Sequence, residues 1–258
     1  MTFTARPTEV PDELVALTRR LGDPAADLVV LAEGNTSVRL DDDRFAVKAS
    51  GSRMDVADAA DFVVGELAEL IAVLEDGAAD QAELTCLLSA GVTRASIETL
   101  VHVAALAAGA EWVAHTHPTA VVGLLAVTDA EALWSAPLFP DEAVVLGEPA
   151  WVPYAAPGIT LGRRVHAAIR ERLDRDGVPP RLVLLGNHGI VALGATAAEV
   201  ETITTMAVKA ARVRAVALSA GTPAPLDVRH ARELAGRPDE AARRALLRRS
   251  PTRSQEAP

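Results

Sequence analysis

The chain has 258 residues and a formal net charge of −10, with half its residues apolar but only 3% aromatic. That length supports one large domain or two small ones with a core of Ala, Val and Leu, and the charge argues against general nucleic-acid binding. A single cysteine, Cys86, excludes an internal disulfide, no apolar run is long enough to cross a bilayer, and a polar start with Pro7 and Pro11 does not resemble a signal peptide. The expectation is a cytoplasmic protein that binds neither nucleic acid nor membrane.

In chain order, Pro11 to Leu21 has helical spacing, and Asp27 to Leu31 is expected as a short strand. Glu33 to Ser37 is a small polar turn. Val38 to Leu40 and Phe45 to Val47 form a hairpin around Asp41 to Arg44, and Lys48 to Ser52 is a second small polar turn. Asp61 to Val64 is a strand, and Glu66 to Leu74 and Ala79 to Leu88 are helices, the second ending near Gly91. A long helix is expected to open at Thr93 to Glu98, capped by Thr93 or Ser96, and to stop at Gly109. Glu111 to His117 reads as strand, Thr119 to Val127 and Asp129 to Ser135 as helices, and Val144 to Leu146 and Trp151 to Val152 as strands. Leu161 to Asp174 reads as helix, Leu182 to Leu185 and Ile190 to Leu193 as strands, and Thr196 to Ser219 as a long helix. An Arg-rich helical tail, 226–258, closes the chain; from Asp227 it carries eight Arg against five acids, and its end is expected to be disordered.

The most informative stretch is Ala114-His115-Thr116-His117-Pro118. Alternation along a strand points His115 and His117 the same way, so both imidazoles can reach one metal ion; two exposed histidines at a strand end fit the spacing equally. Pro118 ends the strand and starts a helix. Gly34-Asn35 and Ser50-Gly51 are turns whose backbone N–H groups and hydroxyls suit an anion, though plain turns look the same. His188 lies between Asn187 and Gly189, in a turn that can bring a ring into a site or only reverse the chain. Glu98 and His102, four apart, share a helix face.

Five pieces occur together in one order: Gly34-Asn35-Thr36-Ser37, Lys48-Ala49-Ser50-Gly51, Ser96-Ile97-Glu98 with His102, His115-Thr116-His117-Pro118, and Gly186-Asn187-His188-Gly189. In this the chain resembles the class II aldolase/adducin superfamily from about Leu14 to Arg214. Arg94 to Thr99 is most similar to the aldolase part of the bifunctional rhamnulose-phosphate aldolase/alcohol dehydrogenases.

The resemblance implies an α/β/α sandwich with a largely antiparallel central sheet, in a domain placed at 1–225. It implies a divalent metal, usually Zn2+, on His115, His117 and His188, with Mn2+, Co2+ or Fe2+ also suited to imidazole. It assigns Glu98 as acid/base and Gly34, Asn35, Ser50, Gly51 and Ser96 to the substrate phosphate, and it implies a homotetramer with sites near subunit interfaces. The activity it implies is cleavage or formation of a C–C bond in a short ketose phosphate through a metal-stabilised enediolate. A sugar-phosphate 4-epimerase or oxo-acid phosphate decarboxylase is the alternative within the same site, and an adducin-like interaction module the alternative without catalysis. Ala32 and Ile97 are apolar where the family often holds phosphate. The only tyrosine, Tyr154, does not match the family's proton-donor loop, and Lys48 is expected in a salt bridge.

Overall fold

The computed structural model describes residues 3–90, 93–240 and 242. Its strands are β1 (Phe3–Thr4), β2 (Asn35–Arg39), β3 (Arg44–Lys48), β4 (Phe62–Glu66), β5 (Ser89–Ala90), β6 (Thr93–Arg94), β7 (Trp112–Thr116), β8 (Ala150–Val152), β9 (Leu182–Leu185) and β10 (Gly189–Gly194). β5 and β6 pair only with each other. The rest form one sheet in the order β1-β4-β3-β2-β7-β10-β9-β8, antiparallel throughout except between β8 and β9.

The helices are α1 (Asp12–Leu21), α2 (Leu67–Glu75), α3 (Gln81–Leu87), α4 (Thr99–Ala107), α5 (Thr119–Leu125), α6 (Ala130–Leu133), α7 (Pro140–Leu146), α8 (Ile159–Asp176), α9 (Ala197–Ala220) and α10 (Val228–Gly236). They cover both faces of the sheet, and the alternation of strand side chains shows why. Val113, Val183, Leu185, Val191 and Leu193 pack with Leu70, Leu100 and Val165 of α2, α4 and α8. Their neighbours Ala114, Leu182, Leu184, Ile190 and Ala192 pack with Val121 of α5 and Val200 and Ile203 of α9 on the other side. Val38, Ala46 and Val64 are covered by Leu14 of α1. Strands buried on both faces read as continuous apolar runs, as Leu182 to Leu185 does. The architecture is the expected α/β/α sandwich.

The helix that matters most for the site is α4. Its side chains from Thr99 to Leu106 are all buried. Gly162 of α8 lets it approach so closely that a Cβ there would stand 2.5 Å from Leu100 Cβ. The first turn of α4 is therefore held rigidly above the sheet.

Four local expectations are corrected. Asp27 to Leu31 is not a strand, because Asp27 and Leu31 both have φ of +56°, which breaks an extended path. Asn35 to Ser37 belongs to strand β2 rather than to a turn. Thr93 starts strand β6 instead of a helix, and α4 begins only at Thr99. Val144 to Leu146 ends helix α7, which Pro140 opens with Asp141 and Glu142 in its first turn; a short apolar run does not separate strand from helix by periodicity. Gly91 and the chain from 243 onward lie outside the described residues. Among the described residues no helix is long and apolar enough to cross a membrane.

Candidate metal centre

The site begins with register. His115 of β7 lies opposite Asn35 of β2 and Val191 of β10, on the face that α4 covers. It is fully buried. Its Nδ1 lies 2.9 Å from the Ile190 carbonyl, so Nδ1 carries the proton and Nε2 presents a lone pair. β7 ends at Thr116, one residue before His117. The His117 backbone N–H then donates to Leu28 O at 2.8 Å, and Pro118 caps α5. His188 stands in the β9–β10 turn, where Asn187 adopts φ +55°.

Three imidazoles from two places in the chain thus converge. Ring centroids are 4.7 Å apart for His115–His117, 5.0 Å for His115–His188 and 4.8 Å for His117–His188. Glu98, at the amino end of α4, completes the set: its Oε2 is 3.2 Å from His115 Nε2 and its Oε1 is 2.9 Å from His188 Nε2. One ligand atom from each of the four lies within 4.8 Å of the others. The packing is tight enough to demand glycine at 189. A Cβ there would overlap the Thr116 carbonyl and stand 2.8 Å from His117 Cδ2.

The electrostatics favour a cation. Burial opposes the charge of Glu98, yet His115 and His188 beside it hold its carboxyl well below the usual range. Burial also opposes a charge on His115, but Glu98 outweighs it and raises the pKa. His117 is pushed down to about 3, by burial first and then by His115 and His188. It therefore offers a neutral, ligating ring. His117 Nε2 and His115 Nε2 face each other at 2.9 Å, a separation that a shared proton or a shared metal ion satisfies. A tetrahedral ion with metal–nitrogen bonds of about 2.05 Å has ligand–ligand edges of about 3.3 Å. The 2.9 Å and 3.2 Å edges here come close to that, so the donor set fits a divalent metal.

The other expected site residues gather at the same end of the sheet. Gly34 has φ +70°, and a Cβ there would stand 2.6 Å from Val29 Cγ1; this turn delivers Asn35 into β2. Asn35 Nδ2 donates to Ser96 Oγ at 3.1 Å and to Glu98 Oε2 at 3.2 Å. Ala49 bridges to Ala95, and Ser50 N donates to Arg94 O at 2.9 Å, so the Ser50-Gly51 turn adjoins the Ser96 segment. Ser96 Oγ accepts from both Asn35 and the Glu98 backbone N–H. Its own hydrogen has no acceptor among the described residues.

Lys48 departs from expectation, and His102 and Glu33 take partners that their place in the sequence does not reveal. Lys48 is almost fully buried and makes no ion pair among the described residues; its Nζ donates to Ala49 O at 3.3 Å. His102 does not touch Glu98, although both lie on one side of α4. It meets Asn35 and Ser37 instead. Glu33 stands at the edge of the cluster: its Oε2 is 3.7 Å from His117 Nδ1 and accepts from Val30 N at 2.9 Å. An acid in the turn before Asn35 was the available signal, but only the fold places it against His117.

The Class II Aldolase and Adducin N-terminal domain model matches residues 12–215. The "Uncharacterized oxidoreductase YuxG" of Bacillus subtilis (strain 168) is 26% identical over 176 residues, 63% of this chain; the chain spans only 23% of that protein's length. The fold is similar to that of YgbL from Klebsiella pneumoniae, described as a putative aldolase/epimerase/decarboxylase, with a TM-score of 0.66, 20% identity and coverage of 91% of this chain and 99% of that one. It is also similar to L-fuculose-1-phosphate aldolase from Thermus thermophilus, with a TM-score of 0.59, 22% identity and coverage of 83% and 100%. With the family model matching most of its length, the chain belongs to the class II aldolase/adducin family.

Proposed function

We propose that the chain is a metal-dependent lyase that cleaves or forms a C–C bond in a short ketose phosphate or a similar hydroxy-carbonyl compound. The observation that carries this is the convergence of His115, His117, His188 and Glu98 on one small volume, beside a Ser96 hydroxyl with its hydrogen unspent. The three histidines hold the metal, with Zn2+ the first choice and Mn2+, Co2+ or Fe2+ compatible with imidazole. When bound, a divalent cation supplies Lewis-acid stabilisation of the charge that develops on the substrate carbonyl oxygen. Glu98 moves the proton at the adjoining carbon, and its side chain shifts off His188 to do so. Ser96, Ser50 and the N–H groups of the Gly34 and Gly51 turns bind the anionic end of the substrate; Asn35 acts mainly by holding Ser96 and Glu98. The same reading takes 1–225 as the catalytic domain and 226–258 as an Arg-rich tail, in a cytoplasmic homotetramer.

The test is metal content by mass spectrometry on protein purified without chelator or histidine tag, beside His188→Ala. About one metal per chain, absent from the mutant, supports the reading. Dihydroxyacetone phosphate is then screened with a panel of aldehydes, and Glu98→Gln should lower turnover by about 10²-fold or more. No metal, and no uptake after zinc is added, sinks it. A decarboxylase in the same site is the second reading, because loss of CO2 asks no residue to protonate an aldehyde oxygen and the only tyrosine, Tyr154, is 61% exposed; a 4-epimerase breaks the same C–C bond as the aldolase and shares its needs. Product analysis separates these reactions.

A further inference from the structure

The carboxylate of Glu98 is the end of a chain of hydrogen bonds whose directions can be read from it. An ionised carboxylate only accepts, so the Asn35 group facing Glu98 Oε2 at 3.2 Å must be its NH2. The Asn35 Oδ1 is then turned the other way, onto His102 Nε2. That nitrogen must carry a proton to donate. His102 is fully buried and its ring nitrogens meet Asn35 and Ser37, with no carboxylate hydrogen-bonded to it among the described residues, so the ring is neutral and its Nδ1 is an acceptor. The Ser37 hydroxyl, 2.7 Å away, donates to it. The path runs Ser37 to His102 to Asn35 to Glu98, and the second Asn35 hydrogen goes to Ser96 Oγ at 3.1 Å.

We infer that His102 is a positioning residue: through its Nε2–H it fixes the orientation of the Asn35 amide, and through that amide the acid/base Glu98 and the substrate-facing Ser96. Asn and Gln amides are nearly symmetric in shape, so packing alone does not select one flip. A reversed Asn35 would aim its carbonyl oxygen at the Glu98 carboxylate and strip Ser96 of a donor. Glu98 selects the flip and His102 holds it: with the Nε2–H on Asn35 Oδ1, turning the amide over breaks that bond together with the ones to Glu98 and Ser96. The ring needs no contact with the metal or the substrate to do so.

Two substitutions divide the imidazole. A glutamine amide nitrogen reaches about as far as Nε2, so His102→Gln keeps the donor to Asn35. An asparagine reaches only as far as Nδ1, so His102→Asn keeps the Ser37 contact and loses Asn35. The activity arm rests on the lyase reading above. There kcat/KM should fall about 10- to 100-fold in His102→Asn and recover to within about threefold of wild type in His102→Gln. In an Asn35→Ala background the further loss from His102→Asn should shrink below about threefold, because the relay is already cut. The second arm needs no substrate. The side-chain amide pair of Asn35, assigned in a 1H–15N spectrum by its disappearance in Asn35→Asp, should exchange with solvent at least about tenfold faster in His102→Asn and at the wild-type rate in His102→Gln. Equal effects of the two substitutions, or an undiminished loss in the Asn35→Ala background, overturn the inference. If no lyase substrate is found, the lyase reading fails while the exchange rates still decide the role of His102.

Discussion

Lys48 stands at a cost to the fold. Its ammonium is almost fully buried with one backbone acceptor. Burial drives its pKa down to about 8, and the charges of Asp61 and Glu98 offset this only in part. A lysine whose folded pKa is depressed makes the protein bind fewer protons than its unfolded chain between about pH 8 and the ordinary value of about 10.4. Stability from this group therefore rises with pH across that window, and the penalty is fully present below it. Urea unfolding from pH 7 to 10 should show this upward contribution in the wild type and its loss in Lys48→Met, whose stability at pH 7 matches or exceeds wild type. Gly189 is the opposite case, a residue that acts by what it lacks. Gly189→Ala should cost about 1–3 kcal/mol by overpacking against Thr116 and His117 and should weaken metal affinity about 10- to 100-fold. Metal titration of the folded mutant checks this; unchanged affinity would show that His117 does not depend on the close approach. At this scale the candidate ligands were legible, because His115, His117, His188 and Glu98 are marked by residue type and order. Glu33 and the route from His102 were not, since both depend on which strand lies beside β7.

Between elements, Arg214 of α9 pairs with Glu142 of α7, 2.5 Å apart and nearly solvent-free on both sides. The same guanidinium donates to Leu133 O at 2.9 Å and Ala136 O at 3.0 Å and lies over the Trp134 ring at 4.2 Å. One side chain thus gathers α6, α7 and the loop between them onto α9. Glu142→Gln leaves that buried cation without its counter-charge and should destabilise the protein by about 3–5 kcal/mol. Asp239→Asn breaks a pair of similar length, 2.6 Å to Arg237, but both side chains are more than half exposed, and stability should be nearly unchanged. Chemical denaturation of the two mutants gives the comparison, and similar losses would mean that burial does not set the value of these pairs. The elements themselves were legible where the pattern was long: α1, α8 and α9 follow their apolar spacing to within a few residues. Short runs misled. Val-Val-Leu at 144–146 served a helix because Pro140 fixed its start, and Asp27 to Leu31 was denied a strand by a backbone that turns at Asp27 and Leu31 and carries Leu28 O to the His117 N–H.

For the whole molecule, periodicity does not state strand order. β2, near residue 35, lies beside β7, near residue 115, and β7 beside β10, near residue 190; only the resemblance of motifs anticipated that these would meet. That arrangement would give a metal bound there a role in stability. Its four candidate ligands come from the end of β7, the β9–β10 turn and the start of α4, so an ion there joins the sheet to the helix layer above it. Without the ion, His115 and His117 are tied only by a hydrogen bond at 2.9 Å and by the contact of His115 with Glu98. Removing the metal should therefore lower the unfolding temperature. A ligand at a hundredfold excess over its dissociation constant stabilises by about 2.7 kcal/mol. For a chain of this size that corresponds to roughly 5–10 °C. Calorimetry after dialysis against chelator, and again after zinc is restored, should show a reversible shift of that size, and His188→Ala should show a much smaller one. A chelator-treated protein that melts at the untreated temperature, from a preparation whose metal has verifiably been removed, would mean that the sheet and α4 hold the four groups together without the ion. The cluster would then be a feature of the packing rather than a metal centre.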